Sequence, residues 1–190
     1  MDHFKSIIGN SSAMEFAVQN ARMAAATTAT ILLKGETGTG KEIFAKAIQK
    51  SSPRAKNPFV TLNCAALPEN LIESVLFGHK KGAFTDSVAN SQGVFQAVHA
   101  GTLFLDEVNS LPVSIQAKLL RFIETGECLA VGSTEPYNVD VRIIAATNAD
   151  LSQQVTDGFF RRDLYFRLNV VPLEIPPLVQ REGNAFFLCY

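Results

Sequence analysis

The stretch GETGTGKE, Gly35 to Glu42, constrains this chain more than any other feature. It has the G-x-x-x-x-G-K spacing of a loop whose backbone N–H groups cradle phosphates. Such a loop needs a strand running in and a helix running out, because the helix N-terminus adds N–H groups and a partial positive charge. TATILLKG, Thr28 to Gly35, is a β-branched and leucine run that reads as a buried strand. KEIFAKAIQKSS reads as the helix, with Ile43, Phe44, Ala47 and Ile48 on one face. Chance alone matches this spacing in a chain of this length at about 5%, so the strand–helix setting decides. It makes Gly35, Glu36, Thr37, Gly38, Thr39, Gly40, Lys41 and Glu42 a candidate nucleotide site. Lys41 would set its charge at the β- and γ-phosphates. The loop normally continues with Ser or Thr, whose hydroxyl reaches magnesium; here Glu42 stands in that place.

The rest of the chain alternates in the same way. FVTLNCAAL, TLFLDEV, VDVRIIAATN and LNVVPLEIPP read as four more strands. ENLIESVLFG reads as a helix closed by Gly78, and PVSIQAKLLRFIETG as one that starts at Pro112 and stops at Gly126. Strands separated by helices imply an α/β fold, a parallel sheet of about five strands covered on both faces. With 190 residues, 47% of them apolar, the chain suits one domain with a proper core. A net charge of −1 argues against a nonspecific nucleic-acid binder. Cys64, Cys128 and Cys189 are odd in number and far apart, which reads as reduced packing thiols in a cytosolic protein. No apolar run reaches the roughly 18–20 residues of a membrane span, and MDHFKSIIGN lacks the order of a signal peptide.

A second motif supports the first. GTLFLDEV drives Leu103, Phe104 and Leu105 into the core and ends in Asp106-Glu107. The C-terminal ends of parallel strands form the ligand edge of an open α/β sheet. Asp106 there can hold magnesium, and Glu107 can orient and polarise an attacking water. AATN brings Asn148 to the same edge, where an amide can position water or sense the γ-phosphate.

These residues resemble the central AAA+ ATPase domain of bacterial enhancer-binding proteins, the activators of sigma-54 RNA polymerase. The resemblance runs from IIGNS to EIPPL and includes GETGTGKE, LNCAALPENLIESVLFGH, GTLFLDEV, AATNADL and FRRDLYFRLNVVPLEIPPL. Glu42 is what that family carries after the lysine. The resemblance implies a P-loop NTPase core, ATP and Mg2+ as ligands, ATP hydrolysis, and a bacterial cytoplasmic setting. GAFTDS, Gly82 to Ser87, is similar to the family's G-A-F-T-G-A loop, an insertion at about 78–92 whose Phe84 and Thr85 would touch sigma-54. Arg161 and Arg167 match a pair of arginine fingers that reach a neighbour's nucleotide, which implies a ring, a hexamer by analogy. Asn63 matches a residue thought to hold the catalytic Glu in an inactive pose.

Four positions depart from the family's pattern: Asp86 and Ser87 in the contact loop, Ala130 where arginine is usual, and Ala100 where glycine is usual. The organisation expected is an α/β nucleotide-binding unit over 1–178. Residues 179–190 would be either the truncated start of a helical lid or a non-native tail. DNA contact would belong to a helix-turn-helix domain outside this sequence. The expected output is remodelling of the sigma-54 polymerase so that promoter DNA opens. The alternative is a regulatory or interaction module of the same family, with little turnover or with lost sigma-54 contact.

Overall fold

The computed structural model describes residues 2–9, 11–84 and 87–181. After a 3-10 turn at His3–Ser6, the elements run α1 (Ser12–Ala25), β1 (Ile31–Lys34), α2 (Lys41–Lys50), β2 (Phe59–Asn63) and α3 (Glu69–Phe77). They continue with β3 (Gly78–His79), β4 (Ser91–Gln92), α4 (Val94–Ala97), β5 (Thr102–Asp106), α5 (Val113–Thr125), β6 (Glu127–Cys128) and β7 (Tyr137–Asn138). Last come β8 (Arg142–Thr147), α6 (Leu151–Thr156), α7 (Arg162–Leu168) and β9 (Val171–Glu174).

Five strands form one parallel sheet in the order β2-β5-β8-β1-β9. All five expected strands are present. Because they are parallel, their C-terminal ends share one edge, which brings Gly35, Asn63, Asp106 and Asn148 to the same side of the molecule.

The alternation of side chains along each strand splits the core in two. Ile31, Leu33, Phe104, Ile144 and Ala146 face α1 and α2. Leu32, Leu103, Leu105, Ile143 and Ala145 face α3 to α7. Burying a large apolar side chain is worth about 1.5–3 kcal/mol, so Phe44 and Phe104 on one face and Phe77 and Phe95 on the other are the main anchors. Helix α1 is not among the elements that the sequence pattern predicts. Ser11 caps it by accepting from Met14 N at 3.3 Å, and its buried stripe is mostly alanine, a weak hydrophobic signal.

One assignment needs correction. Phe44, Ala47 and Ile48 are buried on α2 as expected, but Ile43 is 47% exposed. It lies on the side of the helix turned toward the glycine loop, 3.7 Å from where a Cβ on Gly40 would sit, and lines an open slot. Cys64 and Cys128 are free and buried. Burial pushes the Cys64 thiol up to about 12, with the charges of Asp106 and Glu107 adding to it, so it packs and does not react. Cys189 lies outside the described residues.

Between α3 and α4 the chain leaves the layered body as a hairpin. β3 and β4 pair antiparallel at its foot, with Gly78 opposite Gln92 and His79 opposite Ser91. A Cβ on Gly93 would meet Gly78 N at 2.3 Å, so the two legs can approach only because glycine stands there. β6 and β7 form a second small antiparallel pair. The two are joined: Val131 N donates to Gly78 O at 2.9 Å and Lys80 N to Val131 O at 3.0 Å.

Candidate functional site

The loop after β1 closes on itself through Thr39, whose N–H donates to Glu36 O at 3.3 Å. Gly38 and Gly40 take φ of +82° and +87°, a region that L side chains rarely adopt. Thr39 is buried, and its hydroxyl donates to Glu36 O at 2.8 Å. Glu36, Thr37 and Gly38 face solvent. The chain then enters α2, whose first N–H groups have no partner within the helix. Phosphate oxygens are natural acceptors for such groups.

Lys41 opens α2 and folds back. Its Nζ donates to Gly35 O at 2.8 Å and Glu36 O at 2.9 Å. Burial pulls its pKa below the usual lysine value, against the opposing pull of Asp106 and Glu107. The ammonium therefore satisfies two carbonyls at the mouth of the loop and lies in the field of both acids. Glu42 is turned away, its carboxylate paired with Lys46 at 2.7 Å on the exposed face of α2. It does not take the place of a metal-binding hydroxyl.

Asp106 ends β5 in register with Asn63 on β2. Its Oδ1 accepts from Glu107 N at 3.0 Å. Glu107 itself sits at φ +52°, a left-handed conformation that costs a non-glycine residue about 1–2 kcal/mol. Strain thus falls on the residue with the strongest chemical claim. Asn148 Nδ2 donates to Thr37 Oγ1 at 3.1 Å, tying the end of β8 to the loop. Asn63 holds the turn that follows its own strand. Its Oδ1 accepts from Ala65 N at 2.8 Å and Ala66 N at 3.2 Å, closing the turn after β2. Among the described residues no hydrogen bond joins Asn63 to Glu107.

Arg161 and Arg167 lie at the start and end of α7. Arg161 grips Asp163 with Nε at 3.0 Å and Nη2 at 2.7 Å, which raises its pKa. Arg167 donates to Glu124 Oε1 at 3.1 and 3.2 Å. Both pairs are exposed, and such pairs hold weakly.

Sequence reasoning missed three residues. Arg181, which falls in the expected tail, is buried and donates to Thr39 O at 2.6 Å and to Pro176 O. It clamps the phosphate loop from below, and no motif announces it. Beside it Ile7, Ile8, Phe44 and Leu178 line an apolar slot of about 170 Å³ next to Gly38–Gly40. Gln116 is fully buried and bonds the loop that precedes α7. Ser87, in sequence only a departure from the family's pattern, is buried; its hydroxyl donates to Phe84 O at 2.8 Å and accepts from Phe84 N at 3.0 Å. It ties residue 87 to the backbone of residue 84, which alanine could not do. Phe84 is 40% exposed, with its ring centroid 4.9 Å from that of His79. Thr85 and Asp86 lie outside the described residues, as do 182–190.

The donor set can be tested against its implied ligands. Magnesium is held by one or two carboxylates together with phosphate oxygens and water, not by a protein cage. Asp106 beside the loop fits that pattern, and no group of three or more His, Cys, Asp or Glu is placed to hold a metal among the described residues. The convergent amides and Lys41 fit a polyphosphate.

A parallel five-stranded sheet with a glycine loop entering α2 and, one strand removed from β1, a strand ending in Asp-Glu defines a P-loop NTPase domain. Residues 7–174 match the family described as Sigma-54 interaction domain. The chain belongs to that family, which is that of sigma-54-dependent transcriptional activators. It is 52% identical over 178 residues to a Nif-specific regulatory protein of Sinorhizobium fredii, covering 94% of this chain and 30% of that protein. It is 50% identical over 184 residues to the anaerobic nitric oxide reductase transcription regulator NorR of Klebsiella pneumoniae, covering 97% and 36%. The crystal structure of NtrX from Brucella abortus in complex with ATP is similar at TM-score 0.85 and 37% identity, over 93% of this chain and 40% of that one. The chain thus spans less than half the length of these relatives. No helix among the described residues is long and apolar enough to cross a membrane.

Proposed function

We propose that this domain binds Mg-ATP, hydrolyses it by in-line attack of water, and works in a bacterial cytoplasmic ring of subunits, a hexamer by analogy, to remodel sigma-54 RNA polymerase for promoter opening. The observation that carries this reading is the meeting of the Gly35–Lys41 loop, Asp106, Glu107 and Asn148 at one sheet edge. The ATP held by NtrX, a structure of the same fold at 37% identity, supports it.

In this reading Lys41 exchanges the carbonyls of Gly35 and Glu36 for phosphate oxygens, a stronger charge-assisted pairing. The apolar slot between Ile7, Ile8, Phe44 and Leu178 takes the base. Asp106 would be the protein ligand of magnesium, which would supply charge neutralisation of the phosphates. Glu107 orients and polarises the attacking water, and Asn148 holds that water or reads the γ-phosphate. Arg161 and Arg167 leave Asp163 and Glu124 to meet the nucleotide of the next subunit, at little cost because both pairs are exposed. Phe84 and Thr85 form the tip that touches sigma-54. DNA binding belongs to a separate helix-turn-helix domain.

A second reading, a nucleotide-dependent interaction module with little turnover, draws on one observation: both arginines are paired within their own chain. Turnover per chain measured across a dilution series separates the two. A remodelling ring gives turnover that rises steeply with protein concentration, and Glu107→Gln then binds ATP without hydrolysing it. Turnover that is flat across dilution, or equal in Glu107→Gln and wild type, contradicts the ring ATPase; nucleotide binding with no turnover at any concentration favours the module.

A further inference from the structure

Gln116 lies in the first turns of α5 and is fully buried. A buried amide carries a desolvation cost unless its donors and acceptor are all used. Here they are. Nε2 donates to Leu111 O at 2.8 Å and to Phe159 O at 3.0 Å, and Oε1 accepts from Arg161 N at 2.8 Å. The orientation follows from the partners: a flipped amide would set NH2 against the Arg161 N–H and oxygen against two carbonyls.

The two ends of this bridge differ in kind. Leu111 follows the 3-10 turn Val108–Ser110, which begins directly after Glu107; Ser110 N donates to Glu107 O at 2.9 Å and Leu111 N to Val108 O at 3.2 Å. Thr147, the neighbour of Asn148, donates to Asn109 Oδ1 in the same turn at 3.0 Å. The far end is the segment Phe159–Arg161 that leads into α7, preceded by Gly158 at φ +81° with open space around it. Phe159 and Arg161 side chains are exposed, so the backbone bonds to Gln116 anchor this segment to the body together with buried Phe160.

We propose that Gln116 is a positioning residue that couples the Glu107 turn of one subunit to the backbone of the arginine it presents to the next. The inference rests on the reading of Arg161 as a group acting on a neighbour's nucleotide. A movement of the 108–110 turn and of Leu111 behind it reaches the Arg161 backbone through one side chain. An inert plug in the same cavity would satisfy space but carry no register to Arg161.

The test uses the full-length protein and the nearly isosteric Gln116→Met, which keeps volume and removes all three bonds. A misplaced catalytic group costs on the order of 100-fold in rate. Gln116→Met should lower kcat by about that factor and leave KM for ATP and ring assembly within about threefold. The trans role is read by mixing. At ATP concentrations that fill wild-type sites, Lys41→Ala subunits stay largely empty but still present Arg161, so they should restore turnover to Arg161→Ala subunits. Subunits carrying both Lys41→Ala and Gln116→Met should assemble equally well and fail to restore it. Equal restoration by the double variant overturns the inference. Arg161→Ala distinguishes the two levels. Unchanged turnover in that variant removes the trans reading itself, whereas lost turnover there with a normal Gln116→Met removes the Gln116 role alone.

Discussion

The nucleotide edge and the inserted hairpin are built on opposite principles. At the nucleotide edge the loop is held from every side: Lys41 on the Gly35 and Glu36 carbonyls, Arg181 on the Thr39 carbonyl, Asn148 on the Thr37 hydroxyl. Its framework is five paired strands with two cores behind them. The hairpin has two-residue strands, exposed Lys80, Lys81 and Phe84, and a foot joined by backbone bonds to Val131. Phosphoryl transfer requires groups fixed in advance. A partner contact requires a surface that can be reached and can adapt. One domain can therefore keep its chemistry and its output in separate structural layers.

The largest effect is expected at the nucleotide edge. Lys41→Ala removes the cation between the loop and the acids, and losing a charged hydrogen-bonding group to phosphate should weaken binding of a slowly hydrolysed ATP analogue by on the order of 100-fold. Calorimetry checks it, and equal affinity in the two proteins removes the site.

A smaller effect is expected at the foot of the hairpin. Gly93→Ala places a Cβ against Gly78 N and the Phe77 carbonyl carbon, at 2.3 and 2.4 Å. Overpacking of this kind costs about 1–3 kcal/mol. The layers are separate only if the melting temperature falls and sigma-54 capture weakens while ATP-analogue affinity stays within about threefold. Loss of nucleotide affinity in step with sigma-54 capture would join the two regions.

The smallest effect belongs to the sheet edge remote from both. Ala100 adopts φ +62°, with its N–H on Asp140 O at 2.7 Å and its carbonyl accepting from Asn57 Nδ2 at 2.7 Å. Ala100→Gly relieves the left-handed strain, and about 1 kcal/mol of added stability is expected. Denaturant unfolding measures it; a destabilised variant would mean that the unfolded chain's added freedom outweighs the strain.

The sheet was legible because its strands are apolar runs, and four of them end at one edge, at Lys34-Gly35, Asn63, Asp106 and Thr147-Asn148. Buried parallel strands force such runs. The phosphate loop was legible because its chemistry is carried by spacing and by glycine. Helix α1 was not, since its buried face is alanine, and neither was the exposure of Ile43, which depends on the open slot beside Gly40. Arg181, Gln116 and Ser87 were hidden for one shared reason. Each acts through backbone carbonyls or amides of distant or irregular segments, and a side chain's bond to backbone leaves no complementary residue in the sequence. Asn63 shows the reverse: a residue picked out by resemblance whose side-chain oxygen is taken by its own turn.

The separation of chemistry from contact is best tested at the tip itself. Phe84→Ala and Thr85→Ala are compared with wild type in the full-length protein, measuring ATP turnover and sigma-54 binding in the presence of ADP–aluminium fluoride. A group that meets only the partner stabilises no part of phosphoryl transfer, and loss of one anchoring aromatic can cost about 2 kcal/mol or more of binding. Both variants should hydrolyse ATP at close to the wild-type rate and fail to bind sigma-54. Wild-type sigma-54 binding by both variants, or turnover that falls with binding, would contradict this separation.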